Sequence, residues 1–300
     1  TLDYGEFLHI KPYLEGDVAV TTYDTLLYEF YGIVRPGYHV LLPMSKLVGS
    51  IAVFDEIQLL QDTAWYALSL MPQHIETLLR FGVKVVILSA TIPSVLLEEI
   101  KQRMRHARFV LRRMWSENIR IIDAKDEPVR GKLEIELKRG SLPRDGSSLL
   151  EILGNLDENL PALIVVNTVG KAVEIYRKLL ALKRAGRLKG AELVLLHSRL
   201  CMGARRKVEE LFESREEEKK KRLLLVSTQV VEAGLDLDVK LLITEVSPMD
   251  SLIQRLGRCA RKSDGAAIVY LDAESCKGVY PMSLVKRTLA VLESHDDLLV

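Results

Sequence analysis

Leu223-Leu224-Leu225-Val226-Ser227-Thr228 is an apolar run that ends in two hydroxyls. It has no in–out alternation, so it reads as a strand covered on both faces, the habit of parallel sheets. Comparable runs recur at 17–22, 50–55, 83–89, 162–167, 192–197, 241–246 and 266–271. Amphipathic stretches between them, such as 62–81, 93–106, 171–185 and 203–212, read as helices. Strand and helix in alternation predict an α/β fold of parallel sheets, because parallel strands need helical crossovers.

The chain has 300 residues, more than one compact domain usually holds, so two domains are expected. The Gly-, Pro- and Ser-rich stretch 139–148 reads as a linker. It sets the expected division into 1–140, 141–275 and a helical extension over 276–300. Just before it, Leu133, Ile135 and Leu137 alternate with charged residues, as in a half-exposed strand. The net charge of +1 excludes a global basic field, so any nucleic-acid contact must come from local patches. Cys201, Cys259 and Cys276 form no C-x-x-C pair, which excludes a disulfide scaffold and a zinc knuckle. That usage fits a reducing, cytoplasmic setting. No run of 18 apolar residues occurs, so no membrane span is expected. The chain opens on Thr1 without an initiator Met and is expected to be a fragment or a processed piece.

Four segments carry chemistry. Val53-Phe54-Asp55-Glu56-Ile57-Gln58 puts two acids at the carboxyl end of a strand, where ligands bind in open α/β sheets. One acid suits Mg²⁺ held through water, and the next suits activation of an attacking water. The plain alternative is a surface D-E turn. Leu88-Ser89-Ala90-Thr91 ends the next strand; its hydroxyls can serve that site or cap the following helix. Ser227 to Asp238 offers Thr228 as a cap, Gly234 for close backbone approach and Asp236 as an acceptor. Ser251-Leu252-Ile253-Gln254-Arg255-Leu256-Gly257-Arg258-Cys259-Ala260-Arg261 spaces three arginines by three residues. On a helix, that spacing brings Arg258 and Arg261 to adjacent parts of one face, suited to phosphate oxygens. The plain alternative is a solvated basic helix. Asn167-Thr168-Val169-Gly170-Lys171 imitates a phosphate loop but lacks its first glycine and the Ser/Thr after lysine. His295-Asp296 has no partner ligands at metal spacing and reads as solvated tail.

With these segments in this order, the chain resembles the superfamily 2 helicases. It is most similar to the helicase of type I CRISPR interference systems. The further carriers are Val20 to Leu27, His197-Ser198-Arg199 and Ser247-Pro248-Met249-Asp250. The resemblance spans about residues 17–275. It implies two RecA-like parallel-sheet domains, the first incomplete at its N-terminus, with ATP in the cleft and single-stranded DNA across the top. Asp55 would hold Mg²⁺ and Glu56 would activate water. Arg258 and Arg261 would reach the γ-phosphate, supported by Gln254, Gly234 and Asp236. Ser89 and Thr91 would link cleft to DNA. Thr21, Thr22, Thr168, Ser198, Arg199 and Thr228 would contact the DNA backbone. Implied partners are the CRISPR RNA-guided surveillance complex and a separate HD nuclease subunit. Other readings are a DEAH-like RNA or DNA helicase outside CRISPR and a catalytically silent nucleic-acid-binding module. Gln58 stands where the family usually has histidine. No G-x-x-x-x-G-K-[ST] occurs and no HD nuclease is fused, so the chain is expected to be truncated or part of a split system. Without that loop, weak ATP hydrolysis is expected.

Overall fold

A computed structural model describes residues 2–3, 14, 16–31, 41–57, 66–89, 94–110, 131–213, 222–232 and 237–294. The chain divides into two compact units, Thr1–Ile122 and Asp123–Val300. The expected division at 140–141 falls inside the second unit.

In the first unit, strands β1 (Leu2–Asp3) and β2 (Val20–Thr21) form one parallel pair. Helices α1 (Tyr23–Tyr31) and α2 (Leu41–Leu47) follow. Strand β3 (Ile51–Phe54) pairs in parallel with β4 (Lys84–Ile87), with α3 (Tyr66–Arg80) between them in sequence and α4 (Ser94–Val110) after them. The core gathers Phe30, Phe54, Met71, Ile75, Leu78 and Ile100. Ala52, Val85 and Ile87 face that core. Their neighbours do not: Ile51 is 63% exposed and Val53 57%. Val86 and Leu88 are exposed as well. Apolar runs of this kind predict cover on both faces; among the described residues these two strands are covered on one.

The second unit has a six-stranded, wholly parallel sheet in the order β5-β10-β9-β6-β8-β7. The strands are β5 (Leu133–Arg139), β6 (Ala162–Val165), β7 (Glu192–Leu196), β8 (Leu223–Ser227), β9 (Leu241–Glu245) and β10 (Gly265–Leu271). Helices α5 (Gly146–Leu153), α6 (Leu156–Asn159), α7 (Val169–Arg184), α8 (Met202–Glu213), α9 (Met249–Leu256) and α10 (Met282–Ser294) connect and cover them. The unalternating runs have a direct cause. Ala162 and Ile164 pack in one hydrophobic cluster with α5 and α7, while Leu163 and Val165 pack in another with α8 and Val231. Every position of the central strands is therefore internal. Strands β5 and β7 are the two edges, and the outward Glu134 and Glu136 of β5 blunt it against further pairing.

Helix α9 corrects the arginine spacing. It ends at Leu256, and Gly257 caps it, so Arg258 and Arg261 lie beyond the helix. The cause is long-range pairing. Val239 N–H donates to the Arg258 carbonyl at 2.9 Å, and Ala260 N–H donates to the Val239 carbonyl at 3.2 Å. The backbone cannot make these bonds and continue the helix. Ala260 takes φ +56° as the chain turns away.

Candidate functional site

The first group of candidate residues stands on the carboxyl tips of β3 and β4. Leu88 N–H donates to the Phe54 carbonyl at 2.8 Å, the last rung of the pair. Asp55, Glu56 and Ser89 leave the adjacent tips directly after it. Asp55 and Glu56 are exposed and Ser89 half-buried. Glu56 has φ +52°, a left-handed conformation that side chains other than glycine adopt at a cost. The turn has a packing reason, since Ile57 is 1% exposed and anchored in the core. Thus Asp55 and Glu56 are turned outward between Phe54 and Ile57, which are both buried.

Thr21, Thr22 and Asp55 line one cavity of about 720 Å³, with Ile51 and Val53 among its apolar walls. Thr22 also caps α1: its Oγ1 accepts from Thr25 N–H at 3.3 Å. The Oγ1 of Thr21, the hydroxyl of Tyr23 and Oγ of Ser50 are buried in this wall without a hydrogen-bond partner among the described residues. Behind it lies His74, which sequence reasoning left unassigned. It packs against the rings of Tyr23, Phe30, Tyr31 and Phe54. Burial pushes its pKa down to about 4, so it is neutral at pH 7. Among the described residues, no cluster of three or more His, Cys, Asp or Glu side chains could hold a metal. Thr91 and Gln58 lie outside the described residues.

The second group stands on the carboxyl tips of β6, β8 and β7, which are consecutive in the sheet. Thr168 follows β6, Thr228 follows β8, and Ser198 and Arg199 follow β7. Adjacent strands lie roughly 4.8 Å apart, so the three tips span on the order of 10 Å. Thr168 caps α7, its Oγ1 accepting from Lys171 N–H at 3.3 Å. Thr228 is only 3% exposed. Ser198 and Arg199 are exposed, and the turn is set by His197, whose Nδ1 accepts from Arg199 N–H at 3.2 Å. Burial first, and the Arg199 charge second, hold the His197 pKa below its ordinary value.

Arg255 was not among the expected site residues, yet it organises this edge. Its side chain is fully buried. Nε donates to Glu232 Oε1 at 2.8 Å. One terminal nitrogen donates to Thr244 Oγ1 and to the Glu245 carbonyl, both at 3.0 Å. The other donates to Asn167 Oδ1 at 3.0 Å and to the Tyr280 hydroxyl at 2.9 Å. All five guanidinium N–H groups are thereby used. Asn167 N–H donates to Glu245 Oε2 at 2.8 Å, and Lys171 Nζ donates to Oε1 of the same carboxylate at 2.6 Å. Burial raises the Glu232 pKa, with Arg255 pulling the other way. The available signals were a glutamate closing an apolar strand, Glu245, and another just after β8, Glu232. Lys171 is thus committed to Glu245, in keeping with an ordinary strand-to-helix turn.

The backbone from Arg258 to Arg261 lies toward the amino-terminal side of this sheet, where Cys259 bridges Val239 before β9 begins. Arg258 is 9% exposed, and its guanidinium donates to the Glu232 carbonyl at 2.5 Å. Arg261 Nε donates to the Gly257 carbonyl at 2.7 Å. The carboxylate of Asp238 accepts from Arg261 N–H at 2.9 Å and Lys262 N–H at 3.1 Å. Asp238 thus shapes the arginine turn, a role the sequence did not assign. Gln254 is half-buried on α9. Gly234 and Asp236 lie outside the described residues. No helix among the described residues is long and apolar enough to cross a membrane.

Residues 158–264 match the family described as CRISPR-associated nuclease/helicase Cas3, C-terminal. The chain is 27% identical to the CRISPR-associated helicase Cas3 of Thermoproteus tenax, over 98% of this chain and 47% of that protein. It superimposes on the crystal structure of T. fusca Cas3-AMPPNP with a TM-score of 0.73 and 25% identity, covering 93% of this chain and 36% of that one. A third likeness is to a chain in a structure of a pre-nicking CRISPR RNA-guided surveillance complex, with a TM-score of 0.69 and 27% identity; it covers 93% of this chain and 38% of that one. The chain spans about half the length of the T. tenax relative. Its six-stranded sheet matches the RecA-like helicase domains of such structures. The chain is similar to the helicase part of the Cas3 proteins, the CRISPR branch of superfamily 2.

Proposed function

We propose, with that similarity as premise, that this chain is the helicase portion of an ATP-dependent single-stranded DNA translocase in a type I CRISPR interference system. It works in the cytoplasm with an RNA-guided surveillance complex and alongside an HD nuclease. The observation that supports this best is that seven of the motif residues fall on carboxyl strand tips, three in the first unit and four in the second. Asp55, Glu56 and Ser89 cap one parallel pair; Thr168, Thr228, Ser198 and Arg199 cap three neighbouring strands.

Asp55 and Glu56, adjacent and exposed on a strand tip, are the carboxylates that would meet Mg²⁺ completed by water and phosphate oxygens. Bound Mg–ATP supplies the driving reaction, transfer of the γ-phosphoryl group to water. Asp55 would hold the ion, and Glu56 would orient the attacking water and accept its proton. In the second unit, Arg258 and Arg261 are the cations that suit phosphate oxygens, once released from the carbonyls of Glu232 and Gly257. Thr21 and Thr22 in the first unit, and Thr168, Ser198, Arg199 and Thr228 in the second, each offer polar, sequence-independent contacts to DNA.

The test is binding of a fluorescent oligodeoxythymidylate to the full chain, with ATP turnover measured alongside. Strand binding weakened by Ser198→Ala/Arg199→Ala is expected. Turnover is expected to be weak, because the sequence holds no G-x-x-x-x-G-K-[ST]. Absence of strand binding sinks the translocase reading. Strong strand-stimulated turnover, lost in Glu56→Gln, sinks the expectation of weak hydrolysis.

A further inference from the structure

We propose that Gly131 and Asp264 are positioning residues. They clasp the chain at the start of β5 to the turn that carries Arg258 and Arg261, and so set how those cations meet the terminal phosphate of a nucleoside triphosphate. This rests on the phosphate reading of the two arginines above and adds residues that none of the motifs includes.

Arg258 to Asp264 lie between the end of α9 and the start of β10, in neither helix nor named strand. The shape of this turn must therefore come from what grips it. On one side stands the segment before β9. The Asp238 carboxylate accepts from Arg261 N–H and Lys262 N–H, and Val239 exchanges backbone hydrogen bonds with Arg258 and Ala260. On the other side stands the chain entering β5. Gly131 N–H donates to the Ala260 carbonyl at 3.1 Å, and Lys132 N–H donates to Asp264 Oδ1 at 2.7 Å. Gly265 N–H closes the clasp by donating to the Lys132 carbonyl at 3.0 Å. Ala260, the residue at φ +56°, is thus held through both its N–H and its carbonyl.

Hydrogen bonds alone would make this the ordinary docking of an edge strand. The glycine adds a constraint. A Cβ on Gly131 would collide with the Ser263 carbonyl group and stand 2.6 Å from the Asp264 nitrogen. Any side chain there must push the backbone of the turn aside. Ser263 lies two residues after Arg261, and the stretch is pinned at both ends, at Ala260 and at Gly265. A displacement of Ser263 is therefore taken up by Arg261 and Lys262, whose N–H groups Asp238 holds. The far end of the same strand pair supplies a comparison. Ser141, just past β5, donates from Oγ to Asp272 Oδ2, just past β10, at 2.6 Å. That tie is equivalent in kind but grips no arginine.

The experiment measures binding of Mg–AMPPNP and of Mg–ADP to the full chain by calorimetry. The ratio of the two affinities isolates the terminal phosphate, and a general loosening of the unit does not move it. The wild type is expected to prefer AMPPNP, and Arg261→Ala to abolish the preference. Gly131→Ala and Asp264→Ala are each expected to cut it about fivefold, the scale on which substitutions act on a site through packed neighbours. Asp264→Asn keeps an acceptor at Oδ1 and is expected to restore it. Ser141→Ala is expected to leave it unchanged. A preference that survives both Gly131→Ala and Asp264→Ala while Arg261→Ala abolishes it, or an equal loss in Ser141→Ala, overturns the clasp and leaves the phosphate reading intact. A wild-type chain that binds neither nucleotide or both alike, or a preference that survives Arg261→Ala, ends the phosphate reading and the clasp with it.

Discussion

In the second unit, both sheet faces are covered and the polar groups at the strand tips are bonded to one another through Arg255. In the first unit, one face of β3 and β4 is exposed, and Thr21, Tyr23, Ser50 and His74 bury polar atoms without partners among the described residues. The difference teaches where each unit is vulnerable. A fully bonded buried network fails when one member is removed. A unit with unpaired buried polar atoms responds instead to conditions that charge them.

The largest effect is expected at Arg255. Arg255→Met fills similar volume but strands the buried Glu232 carboxylate, at a cost of about 3–5 kcal/mol. Denaturant unfolding followed by hydrogen exchange at β6 and β9 measures it. Adding Glu232→Gln should recover part of the loss, since the stranded charge is then gone. A cost below about 1 kcal/mol would show that the network does not hold the edge together.

The next effect separates the units by pH. His74 has a folded pKa of about 4 against an ordinary value of 6.5. Above pH 6.5 it is neutral folded or unfolded and has no effect. As pH falls from 6.5 toward 4, the unfolded state takes up the proton first, so the first unit loses stability. A gap of about 2.5 units corresponds to roughly 3 kcal/mol. Hydrogen-exchange protection of α3 and β4 should be lost in that window, while protection at β6 persists. His74→Leu should remove the window. A first unit equally acid-sensitive with leucine there would clear His74 of the role.

A smaller effect is expected at Thr168, where one hydroxyl has two proposed uses. Thr168→Ala removes the α7 cap and costs about 1 kcal/mol. Thr168→Ser keeps the cap and should restore both the thermal midpoint and strand affinity. If serine restores stability but not affinity, the methyl group rather than the hydroxyl meets the strand.

Much of the second unit was legible because its strands are internal on both faces, and that leaves runs such as Leu223–Ser227 unmistakably apolar. The strand-tip positions of Asp55, Glu56, Thr168, Ser198 and Thr228 followed from the same runs. What sequence could not show was non-local. The arginine spacing looks helical, but pairing to Val239, about twenty residues upstream, ends the helix before Arg258. Asp238 shapes that turn from the same distance. Arg255 looks like its two neighbours in the motif; only the convergence of Glu232, Thr244, Asn167 and Tyr280 on it shows that its donors are consumed. In the first unit, the exposed faces of β3 and β4 misled, because Ile51 and Val53 are as apolar as any buried residue.

Glu56 offers the finest discrimination between the units, because it sets local stability against chemistry. Its φ of +52° suits glycine, and Ile57 anchors the turn that imposes it. Glu56→Gly should therefore leave the thermal midpoint of the first unit unchanged or raise it, with a gain of up to about 1 kcal/mol from relieved backbone strain, set against the greater freedom of glycine when unfolded. Glu56→Ala removes the carboxylate without relieving φ and should show no such gain. Both should abolish any strand-stimulated ATP turnover. Such a split, with glycine more stable than alanine and both inactive, is expected of a side chain held in a costly turn for its chemistry. A midpoint that falls with glycine would mean that contacts of the Glu56 side chain, rather than function, hold the turn in place.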